Sequence, residues 1–441
     1  MRILSLTAGA GQMYCGSCLR DNALAAELLA RGHDVMLQPV YTPTLTDEAN
    51  VSGNHVLMGG ISVYLAQKVP LFRHTPRWLD RMWDAPGVIR AATKRAISTD
   101  PHMLGDMTVS MLRGEGGAFQ KEMEKLTDWL ALAPPPDLTV LPNSLLISLA
   151  APIARATRRP VGVTLQGEDL FLDGLEEPYR TESLRLIREH AASVDGFFAV
   201  SRFYAPVMAR LLDIEPSRVH VIPLGITTRD IEPRGPRGAA PPRIGFFGRI
   251  APEKGLHVLC DAYRVLRESG RLPQATLEAG GYLAPEHRAY LEGIEQQMKA
   301  WGLATEFRYH GALDRTAKLA FLRSLDVFSM PATYEEPKAL SVIEALATGV
   351  PVVQPRLGAF TEIVENTGGG LLVPHNDVEA LAGGIARVLQ DPVEWAHLSA
   401  AGASGARTHY SIGREADRAL EVYAAIAGTA SQDIPPRARP H

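Results

Sequence analysis

The chain spells one four-part phrase twice. Residues 2–6 form an apolar run, followed by a loop with Gly9, Gly11 and Gly16, a helical stretch ending near Gly32, and a second apolar run over 34–40. The phrase returns over 243–247, 248–254, 255 to about 269, and 275–279. Strand, glycine loop, helix and strand in that order make a βαβ unit. Each half is therefore predicted to build a mostly parallel sheet wrapped by helices. Later strands are predicted at 138–141, 161–165, 196–200 and 219–222, then at 306–309, 327–330, 350–354 and 370–373.

Length agrees with more than one core, since 441 residues exceed what a single ordinary domain holds. The stretch 233–242, rich in Pro, Gly and Arg, disfavours helix and strand alike and reads as a linker. It separates a first domain (1–232) from a second (243–427), whose last helix near 414–427 is a candidate to cross back. The tail 428–441, with Pro435, Pro436 and Pro440, reads as disordered. Residues 60–130 exceed what a simple α/β domain needs. They read as an insertion of amphipathic helices with Trp78, Trp83 and Trp129 and basic residues from Arg73 to Arg95, either an acceptor or partner surface or a solvated face.

A composition 46% hydrophobic and 21% charged is that of a globular protein. A net charge of -4 gives no bulk attraction to nucleic acid. No apolar run reaches the roughly 18 residues of a spanning helix, and the start is a strand rather than a secretory signal. Three cysteines make no disulfide framework. A cytoplasmic location is expected, with peripheral membrane contact left open.

Two Rossmann-like units raise dinucleotide binding, which the glycine spacing excludes. Tyr14 stands where the fingerprint after Gly9 and Gly11 needs glycine, loop 248–255 lacks the pattern, and no acidic residue ends the run 34–40.

The loop Gly248-Arg249-Ile250-Ala251-Pro252-Glu253-Lys254-Gly255 follows a strand and opens a helix. Free N–H groups and the dipole at a helix start favour anions, Arg249 can fork two phosphate oxygens, and Lys254 adds a point charge. An ordinary surface loop with two basic residues is the alternative.

Further on comes Glu335-Glu336-Pro337-Lys338-Ala339-Leu340-Ser341-Val342-Ile343-Glu344-Ala345-Leu346-Ala347-Thr348-Gly349-Val350-Pro351-Val352-Val353. It reads as a loop, a short helix with Pro337 in its first turn, a stop at Gly349 and a buried strand. Eight steps at ~100° bring Glu336 and Glu344 within roughly 80° of each other around the axis. A carboxylate on so apolar a helix is costly unless something uses it. Two such acceptors can bind the hydroxyls of a sugar and of a ribose; a buried helix with one salt-bridged Glu is the alternative.

These motifs resemble those of retaining glycosyltransferases of family 4, which have the GT-B fold. The E-x7-E pair, the A-x-G-x-P-V-V run at 347–353, the G-R-x-x-x-x-K-G element at 248–255 and Gly358-Ala359-Phe360-Thr361-Glu362-Ile363-Val364 carry the likeness across 243–410. Two departures are local: Glu336-Pro337-Lys338-Ala339 replaces E-G-F-G, and Ala359 replaces a second glycine. The resemblance implies an α/β GT-B architecture of two facing Rossmann-like α/β/α domains with an interdomain cleft. It implies sugar transfer from a nucleoside-diphosphate sugar to an acceptor hydroxyl with retention, without a metal ion or resident cofactor. It assigns catalytic roles to Glu336, against the sugar, and to Arg249 and Lys254, on the diphosphate. Donor contacts are implied at Glu344 (ribose), Gly248, Leu340, Gly11 and Gln166. Relatives often have His where Gln166 stands, and Gln can hydrogen-bond but cannot act as acid or base. The acceptor, whether sugar, lipid or small molecule, is not assigned.

Some candidates stand outside that set. Glu168 and Asp169 are either ligands for hydroxyls or a helix cap, and Ser201 reads as a cap. Cys15 and Cys18 form C-x-x-C at a helix start, where a dipole can lower a thiol pKa, or are simply buried thiols. Three other functions stay open: a GT-B enzyme of other chemistry (phosphorylase or epimerase), a non-catalytic sugar-nucleotide-binding protein, and a redox or scaffold protein built on the cysteines.

Overall fold

The structure is a computed structural model that describes residues 1–9, 15–53, 56–58 and 101–432. It forms two compact units, Met1–Pro223 with Glu415–His441, and Leu224–Arg414. Each has its own buried apolar cluster.

The first unit holds a six-stranded parallel sheet in the order β2-β1-β3-β4-β5-β6. Its strands are β1 Arg2–Thr7, β2 Asp34–Pro39, β3 Leu138–Leu141, β4 Val161–Leu165, β5 Gly196–Ala199 and β6 Val219–Val221. β3, β4 and β5 are buried at every position, as near-continuous apolar runs must be when helices cover both faces of a parallel sheet. The helices are α1 Gly16–Ala30, α2 Pro101–Leu112, α3 Gln120–Leu132, α4 Ala150–Thr157, α5 Asp169–Asp173, α6 Tyr179–His190 and α7 Tyr204–Leu211.

The second unit repeats the plan in the order β12-β11-β10-β7-β8-β9. Its strands are β7 Arg243–Phe247, β8 Thr276–Gly280, β9 Phe307–Tyr309, β10 Val327–Phe328, β11 Val352–Pro355 and β12 Gly370–Val373. Between and after them run α8 Leu256–Glu268, α9 Arg288–Ala300, α10 Arg315–Arg323, α11 Leu340–Ala347, α12 Ala359–Thr367, α13 Val378–Gln390 and α14 Pro392–Tyr410. The final helix, α15 Ile412–Gln432, starts in the second unit, and from Glu415 on it belongs to the first. There Arg20 of α1 donates to Glu415 at 2.6 Å, both side chains buried, and Arg31 pairs with Asp417 at 2.6 Å.

All twelve strands occur where the sequence predicts them, with ends shifted by a residue or two. Some readings change. Residues 428–432, read as tail, continue α15, while 433–441 lie outside the described residues. The stretch 233–242 has no helix or strand, as its composition requires, yet lies within the second unit: the Arg234 N–H donates to Thr348 O at 2.8 Å and its guanidinium meets Asp326 at 3.0 Å. Of the helical insertion, residues 59–100, with Trp78, Trp83 and the basic series, lie outside the described residues, and α2 and α3 occupy its end. Among the described residues no helix is long and apolar enough to cross a membrane.

In the second sheet the chain lays β7, β8 and β9 outward in one direction and then returns to place β10 on the other side of β7. The loops that leave β7 and β10 therefore diverge from neighbouring strands at the carboxyl edge of the sheet, the place where open α/β sheets bind ligands. Those loops carry the two motifs singled out above.

Candidate functional site

The loop after β7 and the loop after β10 touch along their backbones. Gly255, with φ +79°, sits so close to the second loop that a Cβ there would fall 1.9 Å from Pro331 O. Thr333 N–H donates to Glu253 O at 2.9 Å. Gly248 is crowded from the other side, because a Cβ on Gly281 would meet Gly248 O at 1.8 Å. Only glycine permits such approaches.

This packing delivers Lys254 to Glu336. Lys254 Nζ makes an ion pair with Glu336 Oε2 and donates to Tyr334 OH at 2.6 Å, and Tyr334 OH donates to Glu336. The ammonium also lies 4.8 Å from the centroid of the Tyr334 ring. Glu336 is only 3% exposed. Burial alone would push its carboxyl up, but the Lys254 charge and hydrogen bond, with help from Tyr334, outweigh that and hold it at about 2. Its other oxygen accepts from the Lys338 and Ala339 N–H groups at 3.2 Å each. The backbone of Glu336 is clamped as well: Ala359 N–H donates to its carbonyl at 2.8 Å, and a Cβ on Gly358 would lie 2.6 Å from that oxygen.

Pro337 is not in the first helical turn, as the sequence reading had it. α11 begins at Leu340, and Ala339 caps it in the left-handed conformation, φ 51°. The peptide must turn sharply so that residues 338 and 339 can point their N–H groups back at Glu336. Gly349 does terminate the helix, at φ +77°.

The other expected residues stand apart from this contact. The Arg249 side chain is 41% exposed and pairs with Glu253, one turn on. Leu340 is half-buried against the apolar cluster. Glu344, 7% exposed, pairs with Lys318 of α10 at 2.5 Å. In the first unit, Gln166 follows β4, is 3% exposed, and donates from Nε2 to Pro142 O at 2.7 Å, while its buried Oε1 has no partner among the described residues. Gly11 lies outside the described residues.

Glu168 stands at the cap position of α5 but its side chain makes no cap bond; it accepts from Ser144 N at 3.0 Å and Gln166 N at 2.8 Å. Burial pushes its carboxyl up against those two bonds. Asp169 accepts from Tyr204 OH at 2.5 Å and is likewise raised by burial. Ser201 Oγ caps the start of α7 by accepting from Tyr204 N at 3.2 Å. The Cys15 thiol and burial push Cys18 up, and burial does the same to Cys260.

Tyr334, Lys318 and the clamping role of Gly358 were missed by the sequence reading. The Tyr334 signal was available in its place two residues before Glu336. Lys318 pairs across 26 positions, and no spacing rule announces that.

Comparison with known proteins decides the family. A model described as "Glycosyl transferases group 1" matches residues 229–405, and one described as "Glycosyl transferase 4-like domain" matches residues 22–225. The chain belongs to the family 4-type glycosyltransferases. Its similarity to the phosphatidyl-myo-inositol mannosyltransferase of Mycobacterium leprae is 31% identity over 218 residues, 48% of this chain and 54% of that protein. With the D-inositol 3-phosphate glycosyltransferase of Saccharomonospora viridis it shares 34% over 267 residues, 54% and 58% of the two. The chain thus spans little more than half the length of these curated relatives. The solved sucrose-phosphate synthase of Thermosynechococcus elongatus superposes with a TM-score of 0.72 at 18% identity, over 97% of this chain and 100% of that one, and shares the GT-B fold. The two units of the chain are the Rossmann-like halves of that fold.

Proposed function

We propose that the chain is a retaining hexosyltransferase that moves a sugar from a nucleoside-diphosphate donor to an acceptor hydroxyl. The observation that carries the reading is the meeting of Lys254, Tyr334 and Glu336 at the switch point of the second sheet. A lysine ammonium has three N–H donors. Here one goes to Tyr334 and one to Glu336, and the third has no partner among the described residues. That third donor, with Arg249 and the dipole at the start of α8, is suited to a diphosphate. Negative charge on the diphosphate grows as the bond to the sugar breaks, so cations placed there favour the transition state over the ground state.

Glu336 is held ionised far below neutral pH and so has no proton to give. Its two oxygens are taken by Lys254, Tyr334 and the Lys338 and Ala339 N–H groups, so it serves the sugar as a negative charge beside the electron-poor anomeric carbon. Gln166 cannot take a proton either. The leaving diphosphate then receives the acceptor proton while the acceptor oxygen bonds the anomeric carbon on the face the diphosphate leaves, which retains configuration. Glu344 takes the ribose hydroxyls. The reaction so written uses no resident cofactor, and its expected setting is the cytoplasm. The two relatives above are named for inositol-containing acceptors, so a polyhydroxylated ring of that class is the first acceptor to try.

The test mixes the protein with a panel of nucleoside-diphosphate hexoses, with and without D-inositol 3-phosphate or phosphatidylinositol vesicles, and measures released nucleoside diphosphate. Acceptor-dependent release, with the product's anomeric coupling matching the donor's, is expected. Binding without turnover across acceptors would favour a non-catalytic nucleotide-sugar binder, and turnover unaffected by Lys254→Ala would overturn the site.

A further inference from the structure

α10 and α11 each carry one charge where an apolar residue is expected. On α10 (Arg315–Arg323) the buried residues are Lys318, Phe321 and Leu322, which share one face by their i, i+3, i+4 spacing. On α11 (Leu340–Ala347) every residue from Ser341 to Ala347 is buried, and Glu344 is the one charge among them. The two charges meet at 2.5 Å, with side chains 5% and 10% exposed. A buried ion pair is a poor stabiliser, because desolvation offsets its attraction, and apolar residues of similar volume serve a core as well or better. Stability alone therefore does not account for it.

Its geometry leaves something unused. Lys318 donates to Oε1 of Glu344, while Oε2 accepts no hydrogen bond from the described residues, and a tenth of the side chain is accessible. A carboxylate pinned at one oxygen and open at the other is a fixed acceptor for a neighbouring pair of hydroxyls. The first turn of α10 is itself anchored: Asp314 caps Ala317 N at 2.8 Å, and Arg315 forks Asp230 at 2.6 and 2.7 Å. Lys318 thus comes from a helix end that is held in place.

We propose that Lys318 is a positioning residue for ribose recognition: it orients the Glu344 carboxylate so that the enzyme distinguishes a ribonucleotide from a nucleotide lacking the ribose hydroxyls. The inference rests on the nucleotide-sugar reading and adds to it a residue that never touches the donor.

Calorimetry on the full chain tests it, with uridine and guanosine diphosphate and their 2′,3′-dideoxy counterparts as probes. Wild type is expected to bind one of the ribonucleotides about tenfold or more tightly than its dideoxy form, the worth of hydrogen bonds to a charged acceptor. Lys318→Gln should bring that ratio close to one, and Lys318→Arg should restore most of it. Glu344→Gln combined with Lys318→Gln should show the same ratio as Glu344→Gln alone. A ratio unchanged in Lys318→Gln, or independent effects of the two changes, overturns the inference and leaves the donor reading standing. Wild type that binds neither ribonucleotide overturns the donor reading, and this inference with it. Lys318→Gln that fails to fold while Lys318→Arg folds and lacks the discrimination shows a structural role only, and overturns the inference too.

Discussion

Lys254 and Glu336 lie 82 positions apart in the chain and form one ion pair, with Tyr334 OH bonded to both. Two loops that leave neighbouring strands on either side of a chain reversal bring them together. Each partner depends on the other: the ammonium keeps the buried carboxyl ionised, and the carboxylate fixes where the ammonium stands.

Removing the ammonium should cost activity more than binding. Lys254→Met is expected to lower kcat by about 10²–10³-fold, the scale of losing one charged group aimed at developing charge. Lys254→Arg should recover part of it. Steady-state kinetics with the donor found in the panel decides, and a change confined to KM would contradict transition-state stabilisation.

The same pair makes stability depend on pH. The Glu336 carboxyl falls from an ordinary 4.5 to about 2 in the folded protein, a difference worth on the order of 3 kcal/mol. Because the folded value is the lower one, that contribution is complete above about 4.5 and is lost as pH falls toward 2. Urea denaturation of wild type and Glu336→Gln should show a stability gap that narrows over that window. A gap of constant size would contradict the assignment.

Tyr334→Phe separates hydroxyl from ring. It removes the hydrogen bonds to Lys254 and Glu336 and leaves the ring beneath the ammonium. A loss of about 3- to 10-fold in kcat/KM is expected, corresponding to roughly 1 kcal/mol for a hydrogen bond. Tyr334→Ala should lose more, since it also removes the cation–π contact. Equal losses would mean that the ring contributes nothing.

Backbone positions give a contrast. Gly255→Ala places a Cβ 1.9 Å from Pro331 O at a positive φ, whereas Gly270→Ala, also at positive φ, meets nothing within 4 Å. The second should cost about 0.5–1 kcal/mol, the left-handed penalty less the freedom the alanine removes from the unfolded chain. The first should cost several kcal/mol and activity besides, because the loop carrying Lys254 must shift. Comparing denaturation midpoints and turnover of the two variants checks both.

Ala339 offers the reverse. It holds φ 51° without being glycine. Ala339→Gly should stabilise the protein by about 0.5–1 kcal/mol, the left-handed penalty less the glycine's extra unfolded-state entropy. An unchanged or lowered denaturation midpoint would show that the Ala339 methyl, which is buried, contributes packing of equal worth.

The twelve strands, the two-unit plan and the motif loops were readable in the linear chain because they rest on local rules. Apolar runs of strand length, glycines at loop corners and helix-stop chemistry act over a few residues, and a parallel sheet needs only their order. Arg249, Lys254, Glu336 and Glu344 stood out for the same reason, as charges next to glycine turns or within apolar helices. The partners of those charges were not readable. That Lys254 would sit on Glu336 rather than stand free and that Lys318 would neutralise Glu344 depend on which strands become neighbours and how closely two loops can pack. Those are long-range steric and electrostatic outcomes, set by the chain reversal between β7 and β10, and no window of sequence contains both sides of them.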